Sequence, residues 1–285
     1  MAINELREEF SWQLKDLLTI PCLTISKSTY HYISSNLNRE NPDLELITII
    51  SGIQQGNKYR YGYRRVTLVL KKKYDITVNH KKVLRLMREN SLLSKKKQRK
   101  KYKSYRGTVG KIAANVLDRN FYATKSNEKW CTDITEFKVC GEKIYLSPTV
   151  DLFDRSIVSY TYSKTPNVSL VINMLDKAFE SNSTDNLTIH SDQGFHYQNK
   201  RYTDILEENE ITQSMSRKGN CIDNSPIENF FSVLKNEFYY QEEFETVDDF
   251  LFKLDEYIEY YNNDRISLKL KGFTPMEYRY ESQFI

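Results

Sequence analysis

Apolar and polar positions follow two different periods along this chain, and the change falls near residue 120. Before it, apolar residues recur every three or four positions, the spacing of one helix face. In 4–19, Leu6, Phe10, Leu14, Leu17 and Leu18 predict a helix; the turn TIPCLT follows, and ISKSTYHYI then opens a second helix on a Ser/Thr-rich start. That outline fits a helix-turn-helix whose second helix presents Lys27, Ser28, Thr29 and His31, and it fits an ordinary helical pair equally well. Residues 44–93 carry three more amphipathic stretches, LELITIISGIQQ, YGYRRVTLVLKKK and VNHKKVLRLMREN, each with basic flanks.

Beyond 120 the pattern turns to strands. EKWCTDITEFKV, KIYLSPTVDLF and IVSYTYS are β-branched and aromatic runs separated by CGEK and DRS, which predicts three sequential antiparallel strands. PNVSLVINMLDKAFESN reads as a helix with Pro166 in its first turn, NLTIHSD as a short buried strand, YQNKRYTDILEENE as a helix and ITQSMS as a strand. A helix starts at Asn224, a long one spans roughly 246–262, and a helical turn follows GFTPMEY. Three strands, helix, strand, helix, strand, helix is an α/β order, and it suits a mixed sheet of ribonuclease H type behind an all-α front. The expected segments are a helix-turn-helix-like 1–38, a helical 39–94, a basic linker 95–119, an α/β core 120–240 and a helical extension 241–285.

Charge sharpens this division. Up to residue 110 there are 23 Lys and Arg against 9 Asp and Glu; after it, 19 against 29, within a net charge of +4. A basic front suggests a polyanion as partner, and bound divalent cations would let the acidic back tolerate that polyanion nearby. Arg60, Arg64 and Arg65 interleave with Tyr59, Tyr61 and Tyr63, a mixture suited to base stacking and phosphate contact. Lys27, Lys81, Lys82, Arg85 and, in the apolar-poor run KKKQRKKYKSYR, Lys95, Lys96, Lys97 and Arg99 complete the expected DNA contacts. Cys22, Cys131, Cys140 and Cys221 form no C-x-x-C pair, nor a zinc spacing with the four histidines, which points to free thiols in a reducing compartment. With neither a membrane-length apolar run nor a signal-peptide pattern at the start, the chain reads as cytoplasmic, without a membrane partner.

Three carboxylates stand out. Asp133 lies inside a strand, where a charge is disfavoured unless it points into a site. Asp192 follows a strand directly, at the carboxyl end where α/β sheets place ligands, and Gly194 lets the chain turn away. Taken singly, a strand-end Asp is more often a turn former. In a ribonuclease H strand order, however, the two strands lie side by side; paired carboxylates then repel unless a cation such as Mg2+ or Mn2+ sits between them. Glu228, at the edge of the stripe Ile227, Phe230, Phe231 and Leu234, can reach the same point. Trp130 reads as core, and Asp151 and Asp154 read as turn residues.

WCTDIT, HSDQG, SMSRKGNCIDNSPIENFF and LKNE together resemble the DDE catalytic core of insertion-sequence transposases, specifically the second-reading-frame product of the insertion-sequence three family, related to retroviral integrases. Asp192 and Glu228 are separated by 35 residues and Lys235 follows Glu228 by seven, both as in that family. YGYRRV, VNHKKVLRLMREN and YYNNDRISLKLKGFTP extend the resemblance over nearly the whole chain. It implies Asp133, Asp192 and Glu228 as catalytic residues holding two Mg2+ or Mn2+ ions, with Lys235 against the DNA. It also implies strand cleavage and 3′-OH strand transfer at terminal inverted repeats of double-stranded DNA, leading to integration. Pairing two DNA ends implies at least a dimer, and the family often joins this product to an upstream one. Gln193 stands where the family usually has Arg, and Phe195-His196 replaces Ser-Gln. His190 and Gln193 are expected around Asp192; Asn220, Asp223 and Asn224 are expected to cap the helix of Glu228 or to touch DNA. A DNA-binding regulator that has lost catalysis would lack one of the carboxylates. A ribonuclease or structure-selective nuclease on this fold would not need two helical segments and a basic linker in front.

Overall fold

The computed structural model describes residues 11, 13–17, 25–37, 41–94, 112–217 and 221–282. They form two compact units, one up to residue 53 and one from residue 54. The first holds a helical turn, Leu14–Leu17, helix α1 (Lys27–Leu37) and most of helix α2 (Leu44–Gly56). Ser26 starts α1, its hydroxyl accepting the Thr29 N–H at 3.1 Å. The TIPCLT turn lies outside the described residues, as do Lys95, Lys96, Lys97, Arg99 and Asn220.

The second unit begins with a helical pair, α3 (Tyr63–Tyr74) and α4 (His80–Glu89). Val66, Val69 and Leu70 on one helix and Val83, Leu86 and Met87 on the other are buried, as their helical spacing predicts. Asp75 ends α3 in the left-handed conformation, and the Asn79 side chain caps α4 at the Lys81 N–H. Buried Gln54 fixes both flanks, its amide donating to the carbonyls of Tyr61 and Leu92.

Six strands build one sheet: β1 (Lys129–Thr132), β2 (Thr135–Val139), β3 (Glu142–Asp151), β4 (Ile157–Ser163), β5 (Thr188–Ser191) and β6 (Thr212–Met215). β4 pairs with one side of β3, and β1 and β2 pair end to end along the other; β1 then pairs with β5, and β5 with β6, both in parallel. This is the ribonuclease H order, with the expected first strand broken in two. The cause is visible in the register. Thr132 faces Thr149 and Thr135 faces Leu146 in one unbroken offset, so Asp133 would face Pro148, which has no N–H to give a ladder. Asp133 therefore stands in a gap between strands rather than within one. The β2–β3 hairpin turns tightly on Cys140 and Gly141, both at positive φ, the two-residue loop that matches strand twist.

Helices α5 (Val168–Ser181) and α6 (Lys200–Glu208) cover one face, packing Met174, Leu175 and Tyr202 on Trp130 and Ile189. Pro166 precedes the cap Asn167 rather than occupying the first turn of α5; the Asn167 side chain accepts from Leu170 N–H, and a proline ahead of the cap sets an extended entry. The other face carries α7 (Ser225–Leu234), a π-helical segment Lys235–Tyr239 and α8 (Val247–Asn263). The last helix is α9 (Pro275–Glu281), opened by a capping box between Thr274 and Glu277. Among the described residues, no helix is long and apolar enough to cross a membrane.

Candidate active site

Parallel pairing of β1 with β5 sets Cys131 opposite His190. Asp133 and Asp192 each lie two residues further on, just past the ends of their strands, so one register brings both carboxylates to the same edge. Each is fixed by a backbone amide. Ile134 N–H donates to Asp133 Oδ1 at 2.7 Å, and Gly194 N–H to Asp192 Oδ1 at 2.7 Å. A Cβ at Gly194 would lie 2.8 Å from Asp192 Oδ1, so a side chain there would push the carboxylate aside.

Helix α7 reaches the same edge from its own face of the sheet. Its stripe Ile227, Phe230, Phe231 and Leu234 is buried against the core that contains Cys131 and Phe137, and α7 packs on β1 and β3. Glu228, off the stripe, is exposed, with no hydrogen-bond partner among the described residues. Burial, then the charge of Asp192, then that of Glu228 push the Asp133 carboxyl well above the ordinary carboxylate range. Asp192 is raised as well, mainly by burial, and Glu228 by partial desolvation of its carboxyl although the residue as a whole is exposed. Lys235 lies over the Phe137 ring at 5.3 Å; burial lowers its pKa while the charges of Glu136 and Asp133 oppose that shift. Asp133 therefore feels the charges of Asp192, Glu228 and Lys235. Among the described residues, no three His, Cys, Asp or Glu side chains converge as a ready-made ligand cluster.

Other expected site residues divide. His190 is fully buried and bonds Ser214 Oγ through Nδ1 at 2.9 Å, tying β5 to β6 rather than touching Asp192. Gln193 donates to the Ser216 carbonyl at 3.0 Å and so pins the turn after Asp192. Asn224 sits at the N-cap of α7, but its side chain caps nothing; both its amide atoms are buried without a partner. Its backbone, at φ −119° and ψ 23°, is not in the extended conformation the other asparagine caps adopt. Asp223 does not cap either: it is buried and binds Arg119 at 2.7 Å and Arg217 N–H at 3.1 Å, an anchor for the start of α7 that the sequence does not reveal.

Two expected DNA contacts are corrected. Arg60 is buried, donates to the Glu237 carbonyl and the Glu242 carboxylate, and stacks on Tyr257 and Tyr260. Arg65 pairs with Glu237 at 2.9 Å. Tyr61, expected to stack on bases, is also core, its hydroxyl donating to the Asp264 carbonyl and accepting from Ile266 N–H. Lys27, Arg64, Lys81, Lys82 and Arg85 are exposed; Arg64 leans on Tyr63, and Arg85 pairs with Glu89. Asp151 and Asp154 do brace the β3–β4 turn, accepting from Phe153 and Ser156 amides, but both are fully buried and share Arg279 of α9.

Comparison with known proteins agrees with this layout. Family models described as integrase core domain match residues 123–221 and 228–282, and one described as HTH-like domain matches 41–102. The putative transposase InsK for insertion sequence element IS150 of Escherichia coli K12 is 48% identical over 279 residues, covering 98% of this chain and 96% of the relative. A transposase-like protein of Haemophilus influenzae is 48% identical, covering 75% and 99%, and transposase InsF for insertion sequence IS3A of E. coli K12 is 31% identical, covering 66% and 65%. Among solved structures, a simian T-cell lymphotropic virus intasome matches with TM-score 0.49 and 17% identity over 81% of this chain and 74% of the other. The HTLV-2 integrase catalytic core in complex with magnesium matches with TM-score 0.43 and 17% identity over 55% and 99%. With near-complete coverage of a relative at almost half identity, the chain belongs to the insertion-sequence transposases of the insertion-sequence three family.

Proposed function

We propose that this transposase cuts and joins DNA at the terminal inverted repeats of its element through Asp133, Asp192 and Glu228. The observation that carries this is the in-register parallel pairing of β1 and β5, which delivers two aspartates to one sheet edge beside α7.

The donor set suits divalent cations. All three side chains offer oxygen, the Oδ1 atoms of both aspartates are held by backbone amides, and Oδ2 of each is left for a ligand. A buried carboxylate whose pKa is raised by burial and by neighbouring carboxylates, as that of Asp133 is, is relieved by a cation. Asp133 and Asp192 would hold two Mg2+ or Mn2+ ions, with Glu228 rotating inward as a further ligand. Bound there, such ions supply electrostatic stabilisation to the attacking and leaving oxygens of an in-line displacement at phosphorus.

The chain's own groups set the geometry. The two backbone amides fix the carboxylates before DNA arrives, so little reorganisation is needed. Lys235, seven residues after Glu228 on the same line of the helix, would neutralise a phosphate beside the cut. Cleavage joins a water oxygen to phosphorus and releases a 3′-OH; in strand transfer that 3′ oxygen bonds a target phosphorus, and the displaced 3′ oxygen of the target leaves with a proton. No enzyme-bound covalent intermediate is required. Exposed Lys27, Arg64, Lys81, Lys82 and Arg85 are the candidates for backbone contact with double-stranded DNA. Two element ends call for two copies of the chain.

The test is Mg2+-dependent cleavage of a cognate element end by wild type and Glu228→Gln. The variant should be slowed at least about a hundredfold, the loss typical of removing one preorganised electrostatic group. Equal rates would refute the assignment.

A further inference from the structure

The helical pair α3–α4 does not hang from the core by the basic segment alone; it is docked on the C-terminal helices through a buried charged cluster. At its centre is Glu237, in the π segment that begins at Lys235. Arg265 binds both its oxygens, at 2.7 and 2.8 Å, and Arg65 of α3 binds Oε1 at 2.9 Å. Burial opposes ionisation of Glu237, but Arg265 and Arg65 outweigh it and hold the carboxyl below its ordinary range. Around this centre, Arg60 and Lys58 bind Glu242, and the Tyr61 hydroxyl bridges Asp264 and Ile266. The tail packs back on α3: Lys72 lies over the Phe273 ring at 3.5 Å, and Gly272, at φ +85°, leaves so little room that a Cβ would meet Leu68 at 2.5 Å.

Resting on the proposed cleavage function, we propose that this docking makes α3–α4 a ruler: DNA held on its exposed basic face is fixed relative to Asp133, Asp192 and Glu228, and the contact through Glu237 selects which phosphodiester is cut. Exposed Lys81, Lys82, Arg85 and Arg88 of α4 provide that face. If residues 95–111 were the sole connection, a flexible coil of that length would let the two parts drift by about 20 Å. At 3.4 Å per base pair, that blurs the cut over about six positions. A docked pair of helices removes the blur. Arg65 and Tyr61 act through the docking and are positioning residues, not catalytic ones.

The experiment uses the full chain with a protease site inserted between residues 95 and 111, with and without the double substitution Arg65→Gln and Tyr61→Phe. These changes leave the Glu237–Arg265 pair intact, which protects the core, and a thermal melt verifies folding. After nicking, the wild-type fragments should co-elute in gel filtration and those of the double variant should separate. Wild-type fragments that separate overturn the docking. This readout needs no catalysis, so it stands apart from any failure of the cleavage reading. On a labelled element end, un-nicked wild type should give one dominant 3′ end; the folded double variant should spread its cuts over neighbouring phosphates while binding the DNA as tightly. An unchanged cut distribution in a variant whose fragments separate overturns the ruler. Glu242→Gln, which weakens the same docking from its rim, should shift the distribution in the same direction to a smaller extent.

Discussion

Asp133 is held in an unfavourable state. Burial, Asp192 and Glu228 all favour its protonated form. Its folded-state pKa therefore lies above the unfolded one, the folded chain binds more protons in the window between them, and stability falls as pH rises through that window. Asp133→Asn removes the repulsion and should raise the metal-free melting temperature at neutral pH by about 2–4 °C, the shift that ~1 kcal/mol gives in a domain of this size. Added Mg2+ should raise the wild-type melting temperature and leave the variant's nearly unmoved. A variant that melts lower than wild type without metal would contradict the repulsion. The pairing of Asp133 with Asp192 was legible in the sequence because a ribonuclease H strand order sets their two strands side by side, as β1 and β5 lie. In the sequence Arg60 and Arg65 look like DNA contacts because local composition does not encode a partner some 170 residues away, and Glu237 carries no signal in LKNE for the same reason.

Elements place these residues, and the placement has its own supports. β1 and β2 were legible as strand but not as two strands, because the break depends on Pro148, which becomes relevant only once the register of β3 is known. The C-terminal helix α9 reads as an ordinary capped turn, yet Arg279 reaches from it to Asp151, Asp154 and Ser156 beneath the β3–β4 turn. Burial and the neighbouring Asp154 already push the Asp151 carboxyl up to about 6, with Asn127 and Phe153 amides and Arg279 opposing. Arg279→Ala strands two buried carboxylates and should cost about 3–5 kcal/mol in denaturant unfolding at neutral pH. The loss should shrink as pH falls toward about 6, because without Arg279 the Asp151 carboxyl takes up a proton at higher pH than in the wild type and the uncompensated charge disappears. A penalty independent of pH would show that Arg279 acts by packing alone.

At the scale of the whole molecule, the uneven charge becomes a statement about where DNA lies. The basic front half was legible as a polyanion partner, but the structure removes Arg60 and Arg65 from that surface and leaves the α4 lysines outside. Electrostatic binding to duplex DNA releases counterions, and each phosphate neutralised adds about 0.9 to the slope of log affinity against log salt. Lys81→Gln with Lys82→Gln should therefore lower that slope by about two without lowering the melting temperature, because both lysines are exposed. Arg60→Gln should instead leave the slope unaltered and lower the melting temperature, since its guanidinium is spent on Glu242, the Glu237 carbonyl and two tyrosine rings inside the fold. Filter binding from low to moderate salt, paired with thermal melts, separates the two classes. A reduced slope for Arg60→Gln at unchanged stability would return that arginine to the DNA surface and undo the correction.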